Sequence, residues 1–96
     1  MLILRTLRTR VLHGFEIAEA IERVSSDVLR VEEGSLYPAL QRMLAKRWVA
    51  AEWGKTADNR RARYYTITAT GRKQLEREVE SYRRVSAAIA RILQPA

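Results

Sequence analysis

Between Val49 and Ile67 the chain changes its apolar rhythm. Val49, Ala51 and Trp53 alternate with Ala50 and Glu52, while Arg63, Tyr65 and Ile67 alternate with Tyr64, Thr66 and Thr68. Alternation with a period of two marks a half-buried strand. Two such segments around the polar "GKTADNRR" predict a β-hairpin, with Asn59 suited to irregular backbone at its tip. The apolar residues on either side recur at helical spacing. The predicted fold is therefore mainly α with one small β-hairpin, an α+β class. With 96 residues and no cysteine, the chain is expected to form one small body without a disulfide staple. A body of this size buries a modest share of its surface, so burial against a second copy would add stability.

The flanking segments read as helices. Leu2, Ile3, Leu4 and Leu7 cluster before Gly14. In "FEIAEAIERVS", Ile17, Ala20, Ile21 and Val24 form an i, i+3, i+4, i+7 stripe, ended by Ser25, Ser26 and Asp27. "VLRV", from Val28, reads as a short extended piece. In "VEEGSLYPALQRMLAKRW", Leu36, Leu40, Met43 and Leu44 make a third stripe. Ser35 is its expected N-cap, which makes Pro38 the third helical residue, where a missing N–H costs little. The last helix is expected from Thr70-Gly71 to about Leu93, with Pro95 ending it. Two units follow: a winged helix-turn-helix over residues 1–69 and a C-terminal helix over 70–96.

Charge narrows the partners. Lysine and arginine number 18 against 11 acids, a net charge of +7, which favours a polyanion. No apolar run reaches the roughly 18 residues of a membrane helix, so no membrane partner is expected. Catalysis finds little support: the single histidine, His13, stands beside Gly14 at a helix start, where capping or packing is its expected role. Metal-ligand spacing and a glycine-rich phosphate loop are missing, so no cofactor is expected.

DNA binding fits the pattern better. Opposite the apolar stripe of the third helix lie Pro38, Gln41, Arg42 and Ala45, with Tyr37 on a flank. Gln41 suits a bidentate contact with adenine and Arg42 with guanine, while Ser35 and Tyr37 can bond phosphates and Lys46 adds a cation. From Lys55 to Tyr65 the hairpin carries Lys55, Arg60, Arg61 and Arg63 against the single acid Asp58. A basic hairpin after a helix-turn-helix reads as a wing, with Asn59 and Tyr64 beside its arginines.

Leu75, Val79, Tyr82, Ser86, Ile89 and Leu93 step by four and three along the last helix, with Val85 alongside. Such steps resemble a short coiled-coil seam. The expected homodimer interface is Leu75, Val79, Tyr82, Val85, Ile89 and Leu93, joined by Leu2, Leu4 and Leu7 of the first helix. A symmetric dimer would favour an operator with inverted repeats.

Three blocks, "LHGFEIAEAI", "EEGSLYPALQRM" and "NRRARYYTITATGRKQL", resemble the PadR-type bacterial transcriptional regulators over about Leu2 to Leu93. The resemblance implies a winged helix-turn-helix dimer that represses promoters in the cytoplasm. It places the family's Gly-Ser-Leu-Tyr motif on Gly34 to Tyr37, its recognition helix on Ser35 to Arg47 and its basic wing on Asn59 to Tyr65. The single C-terminal helix is similar to that of the short subfamily, where it forms the dimer. Some short members bind flat hydrophobic effectors against an aromatic aligned with Tyr82, although plain dimer packing is the simpler role for that residue. "RTRVLHG" departs from the family's usual Gly-Pro turn. The competing expectation is a winged helix used only as a protein-interaction module, with its basic hairpin unrelated to DNA.

Overall fold

The computed structural model describes residues 1–95; the last position of the expected 70–96 unit, Ala96, lies outside the described residues. The element order is α1 (Leu2–Thr6), β1 (Leu12–His13), α2 (Gly14–Val24), α3 (Glu33–Ala45), β2 (Val49–Lys55), β3 (Arg61–Ile67) and α4 (Ala69–Leu93). β3 is the centre of a three-stranded antiparallel sheet in the order β1-β3-β2. Val49 pairs with Ile67 at the inner end of the hairpin and Lys55 with Arg61 at the outer end. The alternation of the sequence is thus the alternation of the sheet.

The short strand is not where the sequence suggested. "VLRV" lies in the irregular connection between α2 and α3, while Leu12 and His13 pair with Tyr65 and Tyr64. The connection is held by polar groups instead of a partner strand. The Val31 N–H donates to Glu22 Oε2 at 2.9 Å, and the Leu29 N–H donates to Ser25 Oγ at 3.1 Å. Ser26 and Asp27, at φ 52° and 63°, turn the chain through the left-handed region just after α2.

His13 caps α2. Its Nδ1 accepts the Glu16 N–H, and Glu16 Oε1 accepts the His13 N–H in return, so two otherwise free donors are satisfied. α3 begins earlier than expected. Its N-cap is Glu32, Ser35 is its third residue and Pro38 its sixth. The proline therefore removes a true intrahelical bond, the one its nitrogen would have donated to the Gly34 carbonyl. Both residues are exposed, which leaves that carbonyl to water. At its far end the Trp48 N–H donates to the Met43 carbonyl and the Arg47 N–H to Leu44. With Arg47 at φ 61° this is a Schellman closure, built without glycine.

Thr68, two residues before the expected opening, is the N-cap of α4. Its hydroxyl oxygen accepts the Gly71 N–H at 3.0 Å and lies 2.7 Å from the Arg47 carbonyl. The first turns of α4 are thereby tied to the end of α3.

Leu4, Leu7, Leu12, Ile17, Ile21, Leu36, Leu40, Val49, Tyr65, Ile67 and Leu75 form one buried core. This corrects part of the expected interface. Leu4, Leu7 and Leu75 are buried within their own chain and have no surface to offer a second copy, and Val79 packs against the same core. Leu2 remains half exposed. Beyond Val79 the helix leaves the body: Tyr82, Val85, Ile89 and Leu93 are exposed, as is Ile92. The longest extent of the described structure is 58 Å against 28 and 23 Å in the other directions. A 25-residue helix accounts for about 37 Å of such a length.

Candidate nucleic-acid interface

Because Leu36 and Leu40 anchor α3 in the core, the opposite side of the helix faces outward with Pro38, Gln41, Arg42 and Ala45 exposed. Ser35 and Lys46 are exposed on a further flank. Tyr37 turns toward the start of α2, where its ring lies on Gly14.

The register of the hairpin sorts its residues into two faces. Val49, Ala51, Trp53 and Lys55 share one face with Ile67, Tyr65, Arg63 and Arg61. This face starts in the core and ends in solvent: Val49, Tyr65 and Ile67 are buried, whereas Trp53 is 60% exposed. The other face carries Ala50, Glu52, Ala62, Tyr64 and Thr66. Tyr64, expected among the DNA contacts, therefore stands behind the wing. Its ring meets His13 edge-on at 5.4 Å, and its hydroxyl donates to the Lys55 carbonyl at 3.2 Å. Its observed contacts brace the hairpin.

Asn59 closes the tip. At φ 61° it occupies the left-handed conformation that asparagine tolerates, while its N–H donates to the Thr56 carbonyl at 2.9 Å. The Thr56 N–H donates to the Arg60 carbonyl at 2.8 Å, so the two strands meet across a three-residue loop.

Helix and hairpin enclose an open groove of about 770 Å³. Tyr37 and Gln41 line it from α3, and Arg60, Arg61 and Arg63 line it from the wing. His13, Gly14 and Phe15 form its end, and Trp53 is part of its wall. Arg42, Pro38, Ser35, Lys46 and Lys55 lie outside it. Lys46 instead places its ammonium 4.8 Å from the centre of the Trp48 ring. The sequence reading missed the start of α2 and Trp53. The first could be found only through the contact of Tyr37 with Gly14; the second was hidden because its alternation marks it as a core position.

The groove combines amide, hydroxyl and guanidinium groups beside the outward side of a helix whose other side is anchored in the core. Arg61 and Arg63 form no ion pair with a carboxylate among the described residues, so their donors are available to an anion. Ion pairing of this kind suits phosphate, with the exposed helix face free to meet whatever the phosphates border.

Residues 3–77 match the transcriptional regulator PadR-like family. The chain is similar to an uncharacterized protein of Lysinibacillus sphaericus, at 28% identity over 92% of this chain and 81% of that one. It is also similar to an uncharacterized 37.1 kDa protein of a Streptomyces fradiae transposon, at 40% identity over 93% of this chain but 24% of the other. Among solved structures, a PadR-like transcriptional regulator from Bacillus cereus superimposes with a TM-score of 0.81 at 28% identity, covering 98% of this chain and 89% of that one. A transcriptional regulator from Clostridium thermocellum gives a TM-score of 0.88 at 24% identity over 97% and 90% of the two chains. Bacillus subtilis PadR in complex with operator DNA shares the fold, with a TM-score of 0.71 at 19% identity over 80% of this chain and 43% of that one. The fold is thus shared with these structures, and the chain belongs to the PadR-like family of transcriptional regulators.

Proposed function

We propose that this protein is a sequence-specific DNA-binding regulator that acts in the cytoplasm as a homodimeric repressor. The observation that carries the reading is the groove shared by Gln41 and Tyr37 of α3 with Arg60, Arg61 and Arg63 of the wing. α3 enters the major groove, with Gln41 and Arg42 on base edges. Tyr37 and Ser35 bond phosphates at its N-terminal end, and the wing arginines follow the neighbouring backbone. The binding of operator DNA by Bacillus subtilis PadR, whose fold is the same, supports this assignment.

Dimerisation rests on α4. Tyr82, Val85, Ile89, Ile92 and Leu93 form an exposed apolar stripe beyond the reach of the core. Leu2, on the surface of α1, extends the apolar surface that a second copy can cover. Tyr82 serves as packing in this seam, and a flat hydrophobic effector would have to compete for the same ring.

Binding to duplex DNA measured over a range of salt tests the reading. Each phosphate neutralised should add about 0.9 to the slope of log K against log salt. Alanine at Arg60, Arg61 or Arg63 should lower that slope by roughly one where the arginine meets a phosphate. Wild-type protein that fails to bind duplexes at low salt leaves the protein-interaction module as the better account.

A further inference from the structure

Trp53 is an exposed indole on the DNA-side face of the wing, with a guanidinium on each approach to its ring. The Arg61 Cζ stands 4.4 Å from the ring centre, and the Arg63 Cζ stands 5.9 Å from it. Arg63 is the residue directly across the ladder, and Arg61 is two further toward the tip on the same face. The inward continuation of this face is Ala51 and Val49, which pack in or against the core, whereas Trp53 is 60% exposed with Arg61 and Arg63 near its ring.

The charges around it make that arrangement informative. Lys55 and Arg61 are directly paired across the strands, a like-charge juxtaposition that drives long side chains apart. The carboxylate on β2 that would ordinarily hold an arginine in place, Glu52, is on the opposite face. An acid beside Arg61 and Arg63 would orient them but would also neutralise them and take up their donors. An aromatic face attracts a guanidinium perpendicular to its plane and leaves the N–H groups at its edge unspent.

We propose that Trp53 is a positioning residue for DNA binding: its indole holds Arg61 and Arg63 extended over the groove toward α3 with their charge and donors free for phosphate. The inference rests on the DNA-binding reading given above. Trp53 need not touch DNA itself, and its effect passes through the two arginines.

The test compares Trp53→Leu and Trp53→Phe in the full chain, using a fluorescein-labelled random-sequence duplex, because backbone contacts need no particular sequence. Loss of the aromatic face in Trp53→Leu should weaken binding about fivefold, the scale of exposed cation–π contacts, whereas Trp53→Phe should stay within about twofold. In an Arg61→Ala, Arg63→Ala background, Trp53→Leu should change binding no further. In the free proteins, the side-chain protons of Arg61 and Arg63 should be shifted upfield by the ring in wild type and not in Trp53→Leu, and melting temperatures should coincide. The inference is overturned if Trp53→Leu binds like wild type. It is equally overturned if the loss persists without the two arginines, which would make Trp53 a direct contact or a fold element, or if the arginine resonances do not move. A wild type that binds no duplex overturns the DNA reading itself, and the resonance shifts then report the stack separately from its purpose.

Discussion

The Tyr37 ring lies over Gly14: a Cβ built on that glycine would stand 2.9 Å from Tyr37 Cε1 and 2.9 Å from its hydroxyl oxygen. Gly14 is the first residue of α2, so this close approach fixes how the start of α2 meets the first half of α3. Tyr37 is 45% exposed, and the atoms in the way are the far end of a side chain that can swing. Gly14→Ala should therefore leave thermal stability close to wild type, since alanine is the better helix residue by about 1 kcal/mol. Moving the hydroxyl should cost DNA affinity, by about 1 kcal/mol for one lost hydrogen bond. Melting curves and anisotropy titrations separate the two effects. A Gly14→Ala protein that binds as wild type does would remove Tyr37 from the interface.

Gly71 provides the contrast. A Cβ there would run into the Trp48 carbonyl oxygen and crowd Ile67. Backbone cannot swing aside, and Gly71 is buried where α4 leaves Thr68. Gly71→Ala should destabilise the fold by about 1–3 kcal/mol, as over-packing does. Chemical denaturation measures it.

Arg47 occupies the left-handed position that closes α3. A non-glycine residue there carries a strain of about 1 kcal/mol or more, partly offset by the chain entropy that glycine loses on folding. Arg47→Gly should raise stability by about 0.5 kcal/mol, visible as a higher melting temperature. An unchanged or lower value would mean the surrounding hydrogen bonds relieve the strain.

Gln41 and Arg42 both face away from the core, but only Gln41 lines the groove beside the wing. Replacing either by alanine should relax sequence preference, with about 1–3 kcal/mol of discrimination lost per bidentate base contact. Selection of bound sequences from a random pool, compared with binding to bulk DNA, reads this directly. Equal losses on both would make them phosphate ligands.

Val85 and Ile89 are 54% and 49% exposed on α4. Glutamate at both should leave the fold intact, because neither belongs to the core, yet charge buried in a seam without a partner is strongly unfavourable. Sedimentation should show monomers, and binding to a palindromic site should collapse with every DNA-facing residue still present. A double variant that remains dimeric places the seam elsewhere.

Much of this arrangement is legible in the sequence because periodicity reports which residues share a face. It gives the hairpin, α2, α4 and the outward side of α3, and the residue types suggest His13 as a cap. Periodicity does not report what a face packs against. Leu75 and Ile89 belong to one stripe by spacing, but the first is buried in its own chain and the second is not. β1 is two residues long, too short for any alternation to mark it. Ser35 is a good capping residue, yet α3 starts at Glu33 with Glu32 as its N-cap. Trp53 follows the core alternation yet is exposed, because it sits on the same strand face beyond the buried Val49 and Tyr65, a limit that no local pattern contains.

α4 runs unbroken from Thr68, tied to the end of α3, to Leu93, with no proline and no glycine after Gly71. A continuous helix behaves as a rod. In the homodimer proposed here, one rod links each reading head to the shared seam, so the heads cannot adjust their separation independently. The protein would then act as a fixed caliper on DNA. Adding one residue between Leu75 and Tyr82 would turn the head by about 100° relative to the seam and lengthen the arm by about 1.5 Å. Four added residues would nearly restore the angle and push the heads apart by about 6 Å each, so the tolerated distance between operator half-sites should change in steps set by the helical turn.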